Sequence, residues 1–401
     1  MRFWIFAAAL VFAACTGSPS NGQQSQNGGV EQGPSNSNFT AAFEGQTRAP
    51  EAVSGVRINA QEIASGLNHP WAIVFLPDGR MLVTERAGRL RVITRDGDIS
   101  PPVSGVPAVD ARGQGGLLDV VLSPNFATDR LIYLSYAEAR EGGNGTSVAR
   151  GRLSDDARGL TDVQVIFRQM PAWQSRGHFG SRLVFDREGR LYVTLGERQG
   201  ADSRPLAQDI SNTIGKVVRI NADGSVPADN PFVGTANADP HVWSYGHRNV
   251  QGADLNPDTG EVWTIEHGPR GGDELNIPRA GRNYGWPIIG YGIDYNGQPM
   301  HQASAREGME QPIYYWDPVI APGDMDFYRG SLFPWRGDLL IAGLDSEALV
   351  RLDIDGERVT GEERFALGVG RIRDLAESED GALWIITDEG NGRILRLTPQ
   401  A

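Results

Sequence analysis

The 401-residue sequence contains a single cysteine, Cys15, and a single lysine, Lys216. One thiol excludes an intrachain disulfide, a thiolate metal site and a cysteine nucleophile from the folded part. Schiff-base chemistry and a phosphate-loop lysine share one candidate, and no glycine-rich phosphate loop precedes it. HExxH, GxSxG and a GxGxxG that opens a helix are all absent, so zinc peptidases, α/β-hydrolases and Rossmann dehydrogenases lack their local signatures. Basic residues number 37 against 50 acids, for a net charge of -13. That excess repels phosphate backbones and anionic headgroups and argues against a nucleic-acid partner. With 51 glycines and 24 prolines, long uninterrupted helices are not expected.

Near the N-terminus Arg2 precedes an apolar run from Phe3 to Ala14, too short to span a bilayer as a helix. Ala13-Ala14-Cys15 then resembles a lipoprotein junction, so residues 1–15 are expected to be a signal peptide of lipoprotein type, with Cys15 as the lipidated residue. Residues 16–54, rich in Ser, Asn, Gln and Gly, read as a disordered polar linker. The expected location is the periplasm or cell envelope, with the membrane reached only through the lipid.

Over 55–401 one unit recurs: an apolar strand, a turn of Asp, Asn or Gly, then a strand of β-branched and aromatic residues. Six copies are present, at Trp71 to Glu85, Leu117 to Tyr136, Ser181 to Glu197, Gln251 to Glu266, Met325 to Asp345 and Arg373 to Asp388. Constant strands with variable insertions predict an all-β fold, a six-bladed β-propeller. Seven blades, a pair of β-sandwiches and a β-helix are the alternatives. Val56 to Leu67 is expected to pair with Arg393 to Thr398 and close the ring. The insertion from His267 to Pro312 has room for an extra hairpin or a cap.

Five second strands end in an acid (Glu85, Glu197, Glu266, Asp345, Asp388), which would set carboxylates around one rim. His178, flanked by glycines, stands at the entrance of the third repeat. Arg248 and Asn249 precede the fourth repeat, and Arg371 and Arg373 begin the sixth, spaced to offer two forks to one anion. Glu266-His-Gly-Pro-Arg-Gly-Gly-Asp-Glu274 mixes carboxylates with exposed carbonyls, as a calcium ion with roughly six to eight oxygen ligands requires; a plain acidic loop is the other reading.

Several segments together resemble the soluble pyrroloquinoline-quinone (PQQ) dependent aldose sugar dehydrogenases of the glucose/sorbosone dehydrogenase family. They are Gly113-Gln-Gly-Gly-Leu-Leu118, Gly177-His-Phe-Gly-Ser-Arg-Leu183, Tyr245-Gly-His-Arg-Asn249, His267 to Asn276, Asn283-Tyr-Gly-Trp-Pro287 and Gly370-Arg-Ile-Arg-Asp374. The resemblance implies a six-bladed propeller that oxidises aldoses to lactones and passes electrons to an external acceptor. It implies His178 as general base assisted by Glu197, and Gln114, Arg248, Asn249, Tyr295, Arg371 and Arg373 as PQQ ligands. It also implies a calcium on the Gly268 and Pro269 carbonyls, and a second, structural calcium held by Glu274, the Tyr284 carbonyl and Asp273.

These residue types suit that chemistry, because a tricarboxylate needs guanidinium groups and a divalent ion can stabilise negative charge at a reacting carbonyl. Asp324, Asp326 and Asp345 depart from the family pattern, and acids close to a tricarboxylate would weaken its binding. Two rival readings remain: a calcium-dependent propeller lactonase or other hydrolase, and a non-catalytic propeller binding module. Three convergent arginines favour the first reading over both.

Overall fold

The computed structural model describes residues 32–400. The expected signal peptide, Cys15 and the first half of the expected linker lie outside the described residues. Six antiparallel sheets stand around a central axis, which makes the fold a six-bladed β-propeller. The innermost strands are Pro70–Phe75, Leu117–Leu122, Gly180–Phe185, Val250–Leu255, Pro322–Phe327 and Ile372–Glu377, and each packs beside the next until the last returns to the first.

Each sequence repeat is the inner hairpin of one blade. In the third, Gly180–Phe185 pairs with Arg190–Leu195. The turn between them places Gly189 at φ +76°, in the left-handed region that only glycine enters freely. The ring closes as expected: Ile58–Leu67 pairs with Gly392–Pro399, so the last blade joins the two ends of the domain.

The core is six apolar clusters, each wedged between neighbouring blades. Trp263, Trp316, Met325 and Ile341 fill one, and Leu183, Val193, Val148 and Tyr133 another. Burying each such side chain contributes ~1.5–3 kcal/mol, so blades are held face to face and their loops are free to vary.

Two features depart from expectation. The first blade has three strands, and Asp98 to Val103 replaces the fourth through bonds such as Val103 N to Leu90 O at 2.8 Å. The second is a correction to the linker at 16–54: from Gln32 to Ser54 the chain lies as a strap along the outer strands of the fourth and fifth blades. Asn36 and Ser37 donate four hydrogen bonds to the carboxylate of buried Asp317. Buried Gln46 accepts from Tyr291 Oη at 2.9 Å and donates to Pro312 O at 2.9 Å. Polar composition suggested a segment unable to repay its ordering; the strap is held by hydrogen bonds to buried polar groups instead of by an apolar face.

The 267–312 insertion, for which a hairpin and a cap were the two expectations, holds one blade strand, Asp273–Asn276, and no other. Between that strand and Tyr314–Trp316 it is an irregular chain, pinned by isolated bridges such as Arg270 to Ile293. Among the described residues no helix is long and apolar enough to cross a membrane.

Candidate active site

His178 immediately precedes an innermost strand, and Glu197 follows the strand paired to it, so one hairpin brings both to the same end of the channel. His178 Nδ1 lies 2.6 Å from Glu197 Oε1. The His178 backbone is left-handed, φ +48°, which costs a residue with a side chain roughly 1–2 kcal/mol. Its amide donates to Gln114 Oε1 at 2.8 Å. Gly196 has to be glycine, because a side-chain carbon there would sit 2.0 Å from the His178 carbonyl oxygen.

Burial, together with the positive charges of Arg248, Arg198 and Arg204, holds the His178 imidazolium well below the usual histidine range. Burial pushes Glu197 up to about 7 against the pull of Arg248 and Arg204. At 2.6 Å the two groups share one proton between them. With Glu197 ionised, Nδ1–H donates to the carboxylate and Nε2 is left as a free base.

A cavity of about 190 Å³ opens in front of this pair. Gln114, His178, Arg248, Asn249, Tyr295, Arg371, Arg373 and Gly268 all line it. Asn249 Oδ1 accepts from Gly180 N at 3.1 Å, which ties the fourth blade to the His178 hairpin. Arg248, 4% exposed, donates from Nη1 to the carbonyls of His267 and Gly268, both at 2.8 Å. Arg373 donates to Gln251 Oε1 at 2.8 Å and to Gly323 O at 2.7 Å, and burial lowers it to about 10. The Nε atoms of Arg248 and Arg373 are buried without a partner. Arg371 stands at the mouth, 3.8 Å from Asp388, and Tyr295 is 61% exposed.

Sequence reasoning missed Trp71, Arg86, Gln199, Gln251, His267 and Leu344 in the lining. Trp71 lies under Arg373, 4.9 Å from guanidinium carbon to ring centroid. Trp71 opens the first repeat and Arg86 directly follows its last residue, so their place at the end of an inner hairpin was the available signal. Asp388, expected only as a rim acid, lines the cavity and pairs with His69 Nδ1 at 2.9 Å.

The expected metal residues divide. Gly268 also borders a second, much smaller cavity of about 20 Å³, together with Pro269, Glu274, Tyr284 and Glu266. Burial and the neighbouring Glu266 and Asp273 push Glu274 well above its usual range. Asp273 stands apart from these: its Oδ1 accepts from Gly268 N, and its Oδ2 from Ile320 N and Ala321 N, each at 2.8 Å. Its carboxylate ties two loops together and does not line the smaller cavity.

The three suspect acids are also placed elsewhere. Asp324 Oδ1 faces Arg182 Nε at 3.0 Å, and Asp324 and Asp326 line a separate funnel of about 670 Å³ below the waist of the channel. Asp345 is exposed and lines neither cavity. The upper cavity therefore has four guanidiniums (Arg86, Arg248, Arg371, Arg373) and one carboxylate, Asp388. Such a lining fits a polyanion by charge.

A model of the family described as Glucose / Sorbosone dehydrogenase matches residues 67–396. The chain belongs to that family. It is 45% identical over 349 residues to aldose sugar dehydrogenase YliI of Escherichia coli (strain K12), covering 86% of this chain and 93% of the relative. A crystal structure of a glucose dehydrogenase superposes with a TM-score of 0.82 at 49% identity, over 84% of this chain and 99% of that one. The PQQ-bound aldose sugar dehydrogenase of Streptomyces coelicolor gives 0.72 at 27% identity, over 86% of this chain and 99% of the other. This glucose/sorbosone dehydrogenase family member is thus grouped with sugar oxidoreductases, and its own residues supply the arginine-lined cavity and the histidine pair described above.

Proposed function

We propose that the protein oxidises aldoses to lactones with PQQ and calcium and passes the electrons to an external acceptor. The observation that carries this reading is the convergence of the His178–Glu197 pair with Arg248, Arg371 and Arg373 on one positively charged cavity. A neutral lactone has no use for that charge, whereas a tricarboxylate does. Arg248, Arg371, Arg373, Gln114, Asn249 and Tyr295 would hold PQQ. The Gly268 and Pro269 carbonyls would take the calcium at the cofactor, since a carbonyl that accepts from Arg248 keeps a second lone pair. Glu274 and Tyr284, with Glu266, would hold a second calcium, which would relieve the repulsion between two buried carboxylates.

When bound, PQQ supplies a two-electron acceptor for hydride, and calcium beside it supplies positive charge for the oxygen that becomes negative. The chain's own part is proton transfer and positioning. His178 Nε2 takes the anomeric hydroxyl proton as hydride leaves the same carbon, and Glu197 stabilises the imidazolium through Nδ1–H. His178 is suited to this because its surroundings keep it neutral before reaction. The relatives' activity and the apolar N-terminal run support a periplasmic or envelope site, with Cys15 as a lipid attachment point.

The test is dye reduction by the purified chain with PQQ, calcium and a panel of aldoses. Aldose-dependent reduction that requires both additions is expected. Lactone hydrolysis without PQQ would replace this reading with the hydrolase, and inactivity in both assays would leave a binding module.

A further inference from the structure

Behind the histidine pair lies a side chain that touches neither cavity. Arg198 is 0% exposed and stacks its guanidinium on Phe179, 3.6 Å from the ring centroid. Its Nη1 donates to the His178 carbonyl oxygen at 2.9 Å, and its Nη2 to Asn144 Oδ1 at 2.6 Å. Asn144 is itself fixed by donating to Asp110 Oδ2 at 2.9 Å and to Ser175 O at 2.8 Å. Both of these acceptors of Arg198 are neutral, and its Nε has no partner. A guanidinium buried on such terms is costly, so packing alone does not account for it.

Three residues with side chains are left-handed here: His178 at φ +48°, Arg198 at +70° and Gln199 at +59°. Conformations of this kind persist where surrounding bonds over-determine them. The His178 backbone is held at its amide by Gln114 and at its carbonyl by Arg198. The imidazole direction follows from those two bonds and the one to Glu197.

We propose that Arg198 is a positioning residue for His178: it clamps the carbonyl that aims the ring, and it sets a fixed positive charge behind the pair so that Nε2 stays free of its proton. The inference rests on reading His178 as the base. Arg198 remains charged at neutral pH, because burial lowers it only to about 9. The other groups facing the trio are Arg248 and His267 from the fourth blade, Arg204 from the turn after Gln199, Arg140 from the second blade, and Asp110. Among them Arg198 is the one that also bonds the His178 backbone.

The test compares Arg198→Met and Arg198→Lys with the wild type as full-length holoenzyme with PQQ and calcium. Folding is monitored by PQQ affinity. In Arg198→Met, kcat should fall roughly 10- to 100-fold with KM little changed, as expected when a reacting group is misaimed. The acid limb of its kcat profile should move up by about one pH unit, because a stabilising charge behind the carboxylate has gone. Arg198→Lys should return the limb toward wild type and recover only part of kcat; if the Met variant does not fold, Arg198→Gln, which also removes the charge, takes its place.

An unmoved acid limb and wild-type kcat overturn the proposal. So does a loss of kcat with an unmoved limb in the charge-removing variant, Met or Gln, which assigns Arg198 to packing. Nitrogen-15 spectra of the ring of His178, one of six histidines, separate this failure from that of the dehydrogenase reading. If the wild type oxidises no aldose but its His178 tautomer changes when Arg198 is replaced, the clamp stands and the activity falls.

Discussion

His178 and Glu197 show how much a single position can reveal. Flanking glycines marked His178 as a place where space is kept, and the structure shows Gly196 and left-handed backbone making that space. The bond between the two could not be read from the sequence, because it depends on hairpin register. His178→Asn should lower kcat by about 10²- to 10⁴-fold, the usual contribution of a positioned base, with PQQ affinity retained. Stopped-flow reduction checks this, and an unchanged rate removes the assigned role. The wild-type rate should rise with pH through about 7, where burial has placed Glu197. Below that pH the pair gains a proton and Nε2 is occupied; above it the base is free. A flat profile between pH 5 and 9 would contradict the pairing.

Among elements, the hairpins were legible and the loops between them were not. Apolar and β-branched runs around Asp, Asn or Gly turns identified both inner strands of every blade, because burial on two faces leaves a strong pattern. The strap from Gln32 to Ser54 left no such pattern, since it is held by polar contacts to distant residues such as Asp317 and Tyr291. The bonds of Asp273 were hidden for a related reason: a carboxylate in a Gly-rich loop looks the same whether its oxygens meet a cation or backbone amides. Replacing it with Ala leaves three amides without acceptors, at about 1–3 kcal/mol each if they stay buried. Asp273→Ala should therefore lower Tm and weaken PQQ binding through the Gly268 loop, while the calcium bound per chain, measured by atomic emission, stays the same. Loss of one calcium per chain would mark Asp273 as a ligand.

At the scale of the whole molecule, the channel is divided by Arg182. Its guanidinium reaches Asp119 at 3.0 Å, Asp324 at 3.0 Å and Asp374 at 3.2 Å, and lies 4.5 Å from the Trp71 ring centroid. Because these contacts reach across the ring, they cannot be read from local pattern, and so Asp324 was expected near the cofactor. Arg182→Met would leave three buried carboxylates facing one another, and breaking such a network typically costs about 3–5 kcal/mol. The sign with pH follows from Asp119, which burial raises to about 6. The folded chain keeps a proton that the unfolded chain releases near pH 4, so this group's contribution to stability declines as pH rises from about 4 to 6. Without Arg182 to favour the ionised forms, the decline should steepen and extend toward pH 7. Urea midpoints of both proteins across pH 4 to 8 check this; a variant deficit that does not grow with pH would count against the network.

On the proposed function the upper cavity holds a tricarboxylate redox cofactor. Titrating PQQ into the calcium-loaded protein and following cofactor absorbance tests it most directly, with Arg373→Met run alongside. The account predicts saturation at one PQQ per chain and a large loss of affinity in the variant. Absence of binding to the wild type, or equal binding by both, would contradict it.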